Sequence, residues 1–338
     1  MYVYQYNGAH WIERAKLAAT DGQTGTQFGL SVSISGTTIL ASSPYDNDRG
    51  ANSGSAYIFT HNGSTWSQHS KLTASDGFSS QHFGRTSVII GTDVYIGAPL
   101  DNDNGFESGS VYLFRDIAGT WTQLGKLLPS DGAPDDRFGL GLAISGDYLA
   151  IGATQADGTF NTRAGAVYIF WNDRFVWVEQ NKVISPDRAD EFFGLVIALS
   201  ETNLAVRAEE GLFNNTVYAF ARSGTSWNQT AKLETPYHPI SDKFGDAIAI
   251  RGDLVVVGNP SYDEGIPLRF MGNFTSFDLL ATPCPADLTG DCALNFFDVS
   301  TFLSAFSAQD PVADFNTDGS FNFFDVSAFL TEFSTGCN

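Results

Sequence analysis

The segments Phe83-Gly84, Gly97-Ala98-Pro99 and Gly109-Ser110-Val111-Tyr112-Leu113-Phe114 follow one another in one unit of the chain, and this unit is repeated. The Phe-Gly pair recurs every 51 to 55 residues, at Phe28-Gly29, Phe83-Gly84, Phe138-Gly139, Phe193-Gly194 and Phe244-Gly245. A Trp with a Lys five residues later keeps this period, as Trp11/Lys16, Trp66/Lys71, Trp121/Lys126, Trp177/Lys182 and Trp227/Lys232. Such self-similarity is the sequence signature of a repeat architecture.

The apolar runs inside each unit are short and typical of β-strands, as in Tyr95-Ile96-Gly97-Ala98-Pro99. Gly, Asn, Asp and Ser fill the connections, and no helical periodicity interrupts the pattern. About four strands in a unit of this length indicate one blade of a β-propeller. We therefore predict that residues 1–280 form a mainly β domain, a β-propeller of about five four-stranded blades.

The three quoted segments resemble the FG-GAP repeat of the integrin α-chain head, in the bacterial form with Trp and Lys-Leu on the outer strand. The resemblance covers about residues 1–280 and implies the propeller fold. FG-GAP propellers serve mostly as adhesion, recognition or spacer modules. Integrin-type calcium loops lie between the first and second strands of a blade. Short turns such as Ser145-Gly146-Asp147 stand there in this chain, so those sites are not carried over.

The chain starts with the pattern of the outer half of a blade, because residues 2–11 align without gaps to residues 57–66. The last repeat stops after Gly272-Asn-Phe-Thr-Ser-Phe277 and has no Trp…Lys-Leu strand of its own. We expect the strand around Trp11–Leu17 to complete that blade and close a ring of five. The competing interpretation is a truncated start whose missing part held a signal peptide and further blades.

The last residues contain one twelve-residue pattern twice, at Asp287–Asp298 and Asp314–Asp325. Oxygen-bearing residues stand at positions 1, 3, 5, 9 and 12, the spacing with which a calcium loop surrounds its ion, and position 7 contributes a backbone carbonyl. The predicted ligands are Asp287, Thr289, Asp291, Ala293, Asn295, Asp298, Asp314, Asn316, Asp318, Ser320, Asn322 and Asp325. The pattern predicts two bound Ca²⁺ ions; the alternative is a pair of Asp/Asn-rich turns that cap two helices.

Apolar residues with helical spacing follow each loop: Val299, Phe302, Leu303 and Phe306, then Val326, Phe329, Leu330 and Phe333. This spacing puts one apolar stripe on each helix. Two loop–helix units can bury their stripes against each other, so residues 284–338 are predicted to form a small α module. Because so small a core is marginal, we expect calcium to supply much of its folding free energy.

Residues 284–338 resemble a dockerin, and more closely the Cys-flanked dockerin-like tails on secreted proteins of planctomycete-type bacteria. The resemblance implies a cohesin-like or cell-surface protein as partner. Loop positions 10 and 11, which often carry a polar Ser-Thr pair facing cohesin, are Phe296, Phe297, Phe323 and Phe324 here. The docking face implied by the resemblance is therefore apolar, although we expect one phenylalanine of each pair to lie in the core.

All three cysteines, Cys284, Cys292 and Cys337, lie in this tail. Cys284 and Cys337 bracket the loops, and we favour a disulfide between them because the ends of a twofold-like helix pair lie close together. Pairings of Cys292 with either of the others stay open, since connectivity cannot be deduced from sequence. A disulfide-clasped calcium module indicates an extracellular or cell-surface location. The chain shows no signal peptide, which fits a truncated start.

The composition is strongly acidic, with 18 basic and 38 acidic residues among 338 and a net charge of −20. This balance argues against nucleic acid and against anionic membranes as partners, because both require basic patches. The sequence also has no run of some 18 apolar residues that would predict a transmembrane helix. We expect a soluble protein with a protein or glycan ligand on the propeller.

Acidic loops follow the second strand of two units, as Asp46-Asn-Asp48 and Asp101-Asn-Asp103. They are candidate calcium sites, but Asp and Asn also form turns through bonds to the backbone. The fourth unit has Arg207 where other units have glycine, followed by Glu209 and Glu210. This charge at a close-packed position indicates either a ligand site or a local ion pair.

The five histidines are scattered without metal-ligand spacing, and the sequence contains no nucleophile motif. The repeats are also too regular to offer the long insertions that an active site on a propeller usually requires. We therefore expect a protein that is not an enzyme. On this interpretation it is a secreted or cell-surface recognition or adhesion protein whose tail attaches it to a partner. The alternative is an extracellular carbohydrate-active hydrolase or lyase with its active site in the propeller funnel, anchored by the same tail.

Overall fold

The chain folds mainly into antiparallel β-sheets, followed by two helices. The computed structural model describes all residues except 157–163, 174–175, 187–189, 211–213, 235–242, 261–271, 280–285, 287, 290–293, 295, 317 and 336–338. Nearly every strand pairs with its neighbour along the chain, so the sheets are simple meanders. A β-propeller-like arrangement follows, as the repeat predicted.

A hairpin and three four-stranded sheets make up the first half of the chain. The hairpin strands are β1 (Tyr2–Tyr6) and β2 (Trp11–Lys16). The sheets contain β3 (Val32–Ser35), β4 (Thr38–Ser43), β5 (Ser55–His61) and β6 (Trp66–Leu72); β7 (Thr86–Ile90), β8 (Asp93–Ala98), β9 (Ser110–Ile117) and β10 (Thr120–Leu127); and β11 (Phe138–Ser145), β12 (Tyr148–Ala153), β13 (Ala166–Asn172) and β14 (Trp177–Ile184).

The fourth and fifth sheets depart from the four-stranded plan within the described residues. The fourth sheet has five strands because its first strand is split into two short pieces that both pair with β17, and the fifth sheet has three. Their strands are β15 (Asp190–Glu191), β16 (Ile197–Leu199), β17 (Asn203–Glu210), β18 (Asn214–Ser223) and β19 (Ser226–Leu233), then β20 (Ala247–Arg251), β21 (Leu254–Asn259) and β22 (Asn273–Asp278).

The first strands of successive sheets, β3, β7, β11, β16 and β20, lie next to one another and join the blades. Serines on and beside β3 provide part of this junction: Ser31 Oγ accepts from the Ser87 amide at 2.9 Å and Ser33 Oγ from the Ile89 amide at 3.2 Å. These bonds satisfy backbone amides of β7 that no strand of its own sheet reaches on that edge.

Three of the Phe-Gly pairs join a blade to the preceding one through backbone bridges, at Gly54–Phe83, Gly109–Phe138 and Gly165–Phe193. Phe83 is fully buried, with its ring 5.2 Å from Tyr112. The junction between the second and third sheets also packs backbone against backbone. A Cβ on Gly97 would lie 2.1 Å from the carbonyl oxygen of Gly139, so this close approach requires glycine at that position. The repeated Phe and Gly are therefore requirements of blade packing.

The expected closure of the ring by the N-terminal strand is not made within the described residues. β2 pairs with β1 in a separate two-stranded sheet, and β22 pairs only with β21. The physical reason is that β1 already occupies the hydrogen-bonding edge of β2 that the last blade would need. Val32 and Ile34 on β3 consequently remain 54% and 61% exposed, whereas Ile89 on β7 is buried.

The C-terminal helices are α1 (Phe296–Ala308) and α2 (Phe323–Thr335), joined through a 3₁₀ turn at Pro311–Ala313. They pack around Phe302 and Phe329, whose rings are stacked with centroids 4.1 Å apart. The remaining stripe residues flank this pair except for Leu303 and Leu330, which are 55% and 51% exposed, contrary to the predicted stripe. No helix among the described residues is long and apolar enough to span a membrane.

Candidate functional site

The acidic loop of the second sheet surrounds a lysine. Nζ of Lys126 on β10 lies 2.7 Å from a carboxylate oxygen of each of Asp76, Asp101 and Asp103. Tyr112 donates its hydroxyl to Asp76 at 2.7 Å and to Asp101 at 3.1 Å. We call Lys126 and these three aspartates the blade-two cage; the ammonium group occupies the place where a calcium ion would have to bind.

The first sheet repeats this cage around Lys71. Its Nζ lies 2.6, 2.9 and 2.5 Å from carboxylate oxygens of Asp21, Asp46 and Asp48. These aspartates are the only group of three potential metal ligands within 4.8 Å of one another among the described residues. Burial raises the pKa of Asp46, but hydrogen bonds from Ser55, Lys71 and Tyr57 outweigh it and keep this pKa below its ordinary value. The paired lysine supplies the positive charge, so these loops need no metal ion.

The third sheet repeats one corner of the cage within the described residues. Asp131 accepts from Lys182 at 2.7 Å and from the Tyr168 hydroxyl at 2.7 Å. Buried Ala156 stands one period after Asp101, so the carboxylate of that position is replaced. The lysine–aspartate–tyrosine contact is therefore a structural element that the first three sheets share.

Arg207 in the fourth sheet is explained by local ion pairs. Its guanidinium lies 2.6 Å from Glu209 and 3.3 Å from Asp246, and its side chain is largely buried against Gly245. The charge thus replaces a glycine at a blade junction without opening a ligand site. The side chain of Glu210 lies outside the described residues.

A pocket of about 340 Å³ opens where the second, third and fourth sheets meet. Its wall is built from equivalent positions of three repeats, the residue before each Phe-Gly pair and the residue after it: His82, Arg85, Arg137, Leu140, Phe192 and Leu195. The residue before the pair has a left-handed backbone in each case, with φ of 55° at His82 and 57° at Arg137. Gln27 has the same conformation before the first Phe-Gly pair, with φ of 55°, so the left-handed backbone belongs to the repeat and not to the pocket alone.

The polar part of the pocket is rich in hydrogen-bond donors. Arg137 donates to Glu107 at 3.0 Å, but its Nε has no hydrogen-bond partner among the described residues. The side chain of Arg85 makes no hydrogen bond or ion pair to the described part of the chain. The Oγ1 atom of Thr154 is also unpartnered there, although this side chain is fully buried.

The surroundings of His82 in the pocket shift the pKa of its imidazole. Burial and the positive charge of Arg85 lower its pKa, and the negative charge of Glu107 opposes them only in part. The imidazole ring packs 4.8 Å from the ring of Tyr45. At pH 7 this imidazole is neutral and can accept a proton, as a general base requires.

The pocket is not predicted by any short motif, and the histidines are scattered in the sequence, because the residues that meet in the pocket are separated by whole repeats. The available signal was the period itself: His82, Arg137 and Phe192 each directly precede a Phe-Gly pair.

In the second C-terminal loop, carboxylates of the predicted calcium ligands accept hydrogen bonds from backbone amides of the same loop. Asp314 accepts from the amides of Asp318 at 3.1 Å and Gly319 at 2.8 Å, and Asp325 accepts from the amides of Asn316 and Asn322. Asp325 is buried, and these backbone bonds lower its pKa. The loop is thus folded around its position-12 carboxylate.

In the first loop, Asp298 plays the same part and is fully buried. It accepts from the amide of Thr289 at 3.0 Å and from its hydroxyl at 2.8 Å. The remaining ligands predicted there lie outside the described residues: Asp287, Asp291, Ala293 and Asn295. The predicted disulfide between Cys284 and Cys337 lies outside them as well.

The four phenylalanines at the start of the helices are all on the surface, with exposed fractions of 76% for Phe296, 67% for Phe297, 75% for Phe323 and 68% for Phe324. The expectation that one of each pair lies in the core is wrong. Each pair belongs to the first turn of its helix, whereas Phe302 and Phe329 fill the core one to two turns later.

Comparison with known families identifies the repeat. The profile of the family described as FG-GAP repeat matches residues 11–59, 66–114, 121–170 and 227–267, together more than half of the chain. The unit between the third and fourth matches is the one that carries Arg207. No curated protein matches the chain by sequence.

Two solved structures with a similar arrangement of strands are enzymes. The periplasmic gluconolactonase of Pseudomonas aeruginosa is 15% identical with a TM-score of 0.49, over 76% of this chain and 71% of that one. A structure from a study of two prolyl endopeptidases is 11% identical with a TM-score of 0.46, over 74% of this chain and 32% of that one. The sequence-based expectations of a non-enzymatic protein and of an adhesion or recognition role are corrected on this finding. Likenesses at this level assign no substrate.

Proposed function

The chain belongs to the FG-GAP repeat family, and we propose that its propeller is a hydrolase or lyase acting on carbohydrate, with the active site in the His82 pocket. The observation that carries the proposal is a neutral imidazole in a concave pocket that also contains two guanidinium groups. A pocket with convergent polar groups and a perturbed pKa is the default candidate for an active site.

His82 is the general base in this proposal. In hydrolysis it takes a proton from the attacking water while the water oxygen bonds to the sugar carbon; the glycosidic C–O bond breaks, and its oxygen leaves with the electron pair and receives the proton. In elimination it takes the proton from the carbon beside a carboxylate; the electron pair of that C–H bond forms the C=C bond, the C–O bond breaks, and its oxygen leaves with the electron pair and then receives the proton. Arg85 and Arg137 stabilise the negative charge that develops in either case.

A turnover screen with purified polysaccharides tests this proposal. The variant is His82→Asn, because asparagine tolerates the left-handed backbone at this position and cannot act as the base. We expect its kcat to fall by about 10²–10⁴-fold. His69→Asn, which changes an exposed histidine on β6, is the control and should keep full activity. Turnover that is equal in wild type and His82→Asn would refute the assignment.

We further propose that the C-terminal module is dockerin-like and binds two calcium ions. The donor set is suited to this ion: Asp314, Asn316, Asp318, Asn322 and Asp325 offer hard oxygen ligands at the required positions, with the carbonyl of Ser320. Calcium, when bound, neutralises the clustered carboxylates and so favours the folded loop. Thr289 and Asp298, with the predicted Asp287, Asp291, Ala293 and Asn295, would hold the second ion.

Calorimetric titration of the full chain measures this directly. We expect two ions per chain in the wild type and one in Asp325→Ala. Glu332→Gln removes an exposed carboxylate of α2 outside the loops and should still bind two. Wild-type protein that binds no calcium would contradict the proposal.

The exposed phenylalanine pairs support docking of this module to a cohesin-like or cell-surface protein outside the cell. Four large apolar side chains on the surface of so small a module are unusual unless a partner covers them. Replacing all four by Ser should abolish retention on the partner while calcium binding is unchanged. Retention that survives the replacement would place the docking face elsewhere.

A further inference from the structure

The pocket differs in charge from the rest of the molecule. The chain has a net charge of −20, yet two arginines and one glutamate line this pocket together with the neutral His82. Its charged side chains therefore give the pocket a local excess of one positive charge. The positive charge of the pocket attracts negative ligands against the repulsion of the acidic protein around it, so an anion is held at the pocket and not on the surface beside it.

Several donors of the pocket have no acceptor among the described residues. Arg137 uses one terminal nitrogen on Glu107, whereas its Nε and the buried Thr154 Oγ1 have no partner there. The side chain of Arg85 has neither an ion pair nor a hydrogen bond to the part of the chain that the structure describes. Unpaired buried polar groups cost free energy, so their persistence at one place points to an absent acceptor.

We propose that Arg85, Arg137 and Thr154 bind the carboxylate or sulfate group of an acidic saccharide. Guanidinium groups present paired N–H donors that match the oxygens of such an anion, and a buried hydroxyl adds a third donor. Leu140, Phe192 and Leu195 form the apolar wall on which the carbon face of a sugar ring can pack. The saccharide part of this inference rests on the proposed function, whereas the preference for an anion does not.

Calorimetry of the full-length protein with three oligosaccharides tests the inference: a polyuronate, a sulfated galactan and a neutral galactan of similar length. We expect one or both acidic ligands to bind, with affinity that falls as salt rises, and the neutral one not to bind. Binding of the uronate alone or of the sulfate ester alone identifies which anion the pocket takes.

Arg85→Met is the decisive variant, because the Arg85 side chain forms no ion pair with the described part of the chain whose loss would disturb the fold. We expect its dissociation constant for the acidic ligand to rise at least ~10-fold, a difference of about 1.4 kcal/mol. Arg115→Met, which removes an exposed arginine paired with Asp93 in the same sheet, should bind like the wild type. Equal binding of neutral and acidic ligands, or unchanged affinity in Arg85→Met, would overturn the inference.

The outcomes separate this inference from the proposed function. An acidic ligand that binds through Arg85 without being turned over supports the anion site and refutes the hydrolase or lyase. A neutral polysaccharide that is turned over with dependence on His82, while neither acidic oligosaccharide binds, supports the enzyme and refutes the anion site.

Discussion

The blade-two cage makes a quantitative prediction about Lys126. In Lys126→Met the side chain keeps its length and loses its charge, so Asp76, Asp101 and Asp103 face one another without a cation. Asp101 is almost completely buried, whereas the side chains of Asp76 and Asp103 are 52% and 39% exposed and can be rehydrated. The cost is therefore dominated by one buried carboxylate that has lost its ammonium partner.

Removing one partner of a buried ion pair costs 3–5 kcal/mol, and the lower end applies here because water reaches two of the three carboxylates. We expect the propeller to lose about 3 kcal/mol of unfolding free energy. In a domain of this size that corresponds to a fall in Tm of about 6–12 °C. Differential scanning calorimetry at pH 7 and low salt measures it.

Lys16→Met is the matched control. Lys16 holds the equivalent position on β2, but it is exposed and forms no ion pair with a carboxylate in the described part of the chain. Its replacement should change Tm by less than about 2 °C. Equal effects of the two substitutions would refute the reasoning, because the loss would then reflect the lysine stem and not the cage.

The pH dependence of the same variant gives a second readout. Burial raises the pKa of Asp76, but the bonds from Lys126 and Tyr112 outweigh it and hold this pKa below its ordinary value of 3.8. Its stabilising contribution is present above that value and is lost as the pH falls through the lowered folded-state pKa. Burial lowers the pKa of Lys126, but hydrogen bonds to its three aspartates raise it more. The stability that the charged lysine contributes is therefore present below pH 10.5 and is lost as the pH rises through the raised folded-state pKa.

In Lys126→Met the sign on the acid side reverses. Without the ammonium group, burial and neighbouring carboxylates raise the pKa of Asp76, and protonation then relieves the repulsion. The variant should be less destabilised relative to wild type at pH 4.5 than at pH 7. A deficit that grows on acidification would show that the carboxylates are not the source of the instability.

Two further substitutions test the packing of each module. Gly97→Ala places a Cβ 2.1 Å from the carbonyl of Gly139 and should lower Tm by more than 5 °C. Gly125→Ala, with nothing within 4 Å of the new Cβ, should leave Tm unchanged. Calorimetry compares the two variants, and equal Tm values would contradict the close packing proposed at the blade junction. Phe302→Ala should lower the unfolding free energy of the helix pair by about 3–5 kcal/mol and remove much of its helical signal in far-ultraviolet circular dichroism. Leu303→Ala, at an exposed position, should leave that signal intact. A helical signal retained in Phe302→Ala would count against the stacked core.

Much of the fold was predictable because blade packing uses short-range sequence signals. Each of the five units keeps the Phe-Gly pair, because a Cβ on its glycine would clash, as at Gly84, where it would lie 2.7 Å from the carbonyl oxygen of Ser55. The glycine one strand later is less strictly kept, since Ser42 and Arg207 replace it in the first and fourth units. Ring closure was not predictable from the same signals, since the outcome depends on whether β1 or β22 pairs with β2. Periodicity describes each strand equally well in either arrangement.

The candidate site was harder to predict for a related reason. Helical spacing correctly put Phe302 and Phe329 in the core, yet Phe296 and Phe323 are equally apolar and stand on the surface, because residues in the first turn precede the point where the helices meet. In the pocket, the residues that come together are one full repeat apart. Composition also hid it, because a net charge of −20 conceals a local positive excess.

The cage and the pocket are physically connected through one loop. Asp101 holds the loop by accepting from the amide of Asn102 with its side chain and from the amide of Gly109 with its backbone carbonyl. The same loop carries Leu100 and Glu107 into the pocket wall. The lysine that anchors Asp101 on the outer strand therefore fixes the loop from which Glu107 orients Arg137. The ammonium group of Lys126 is thus an internal cation whose contacts with Asp101 reach, through this loop, the wall of the pocket.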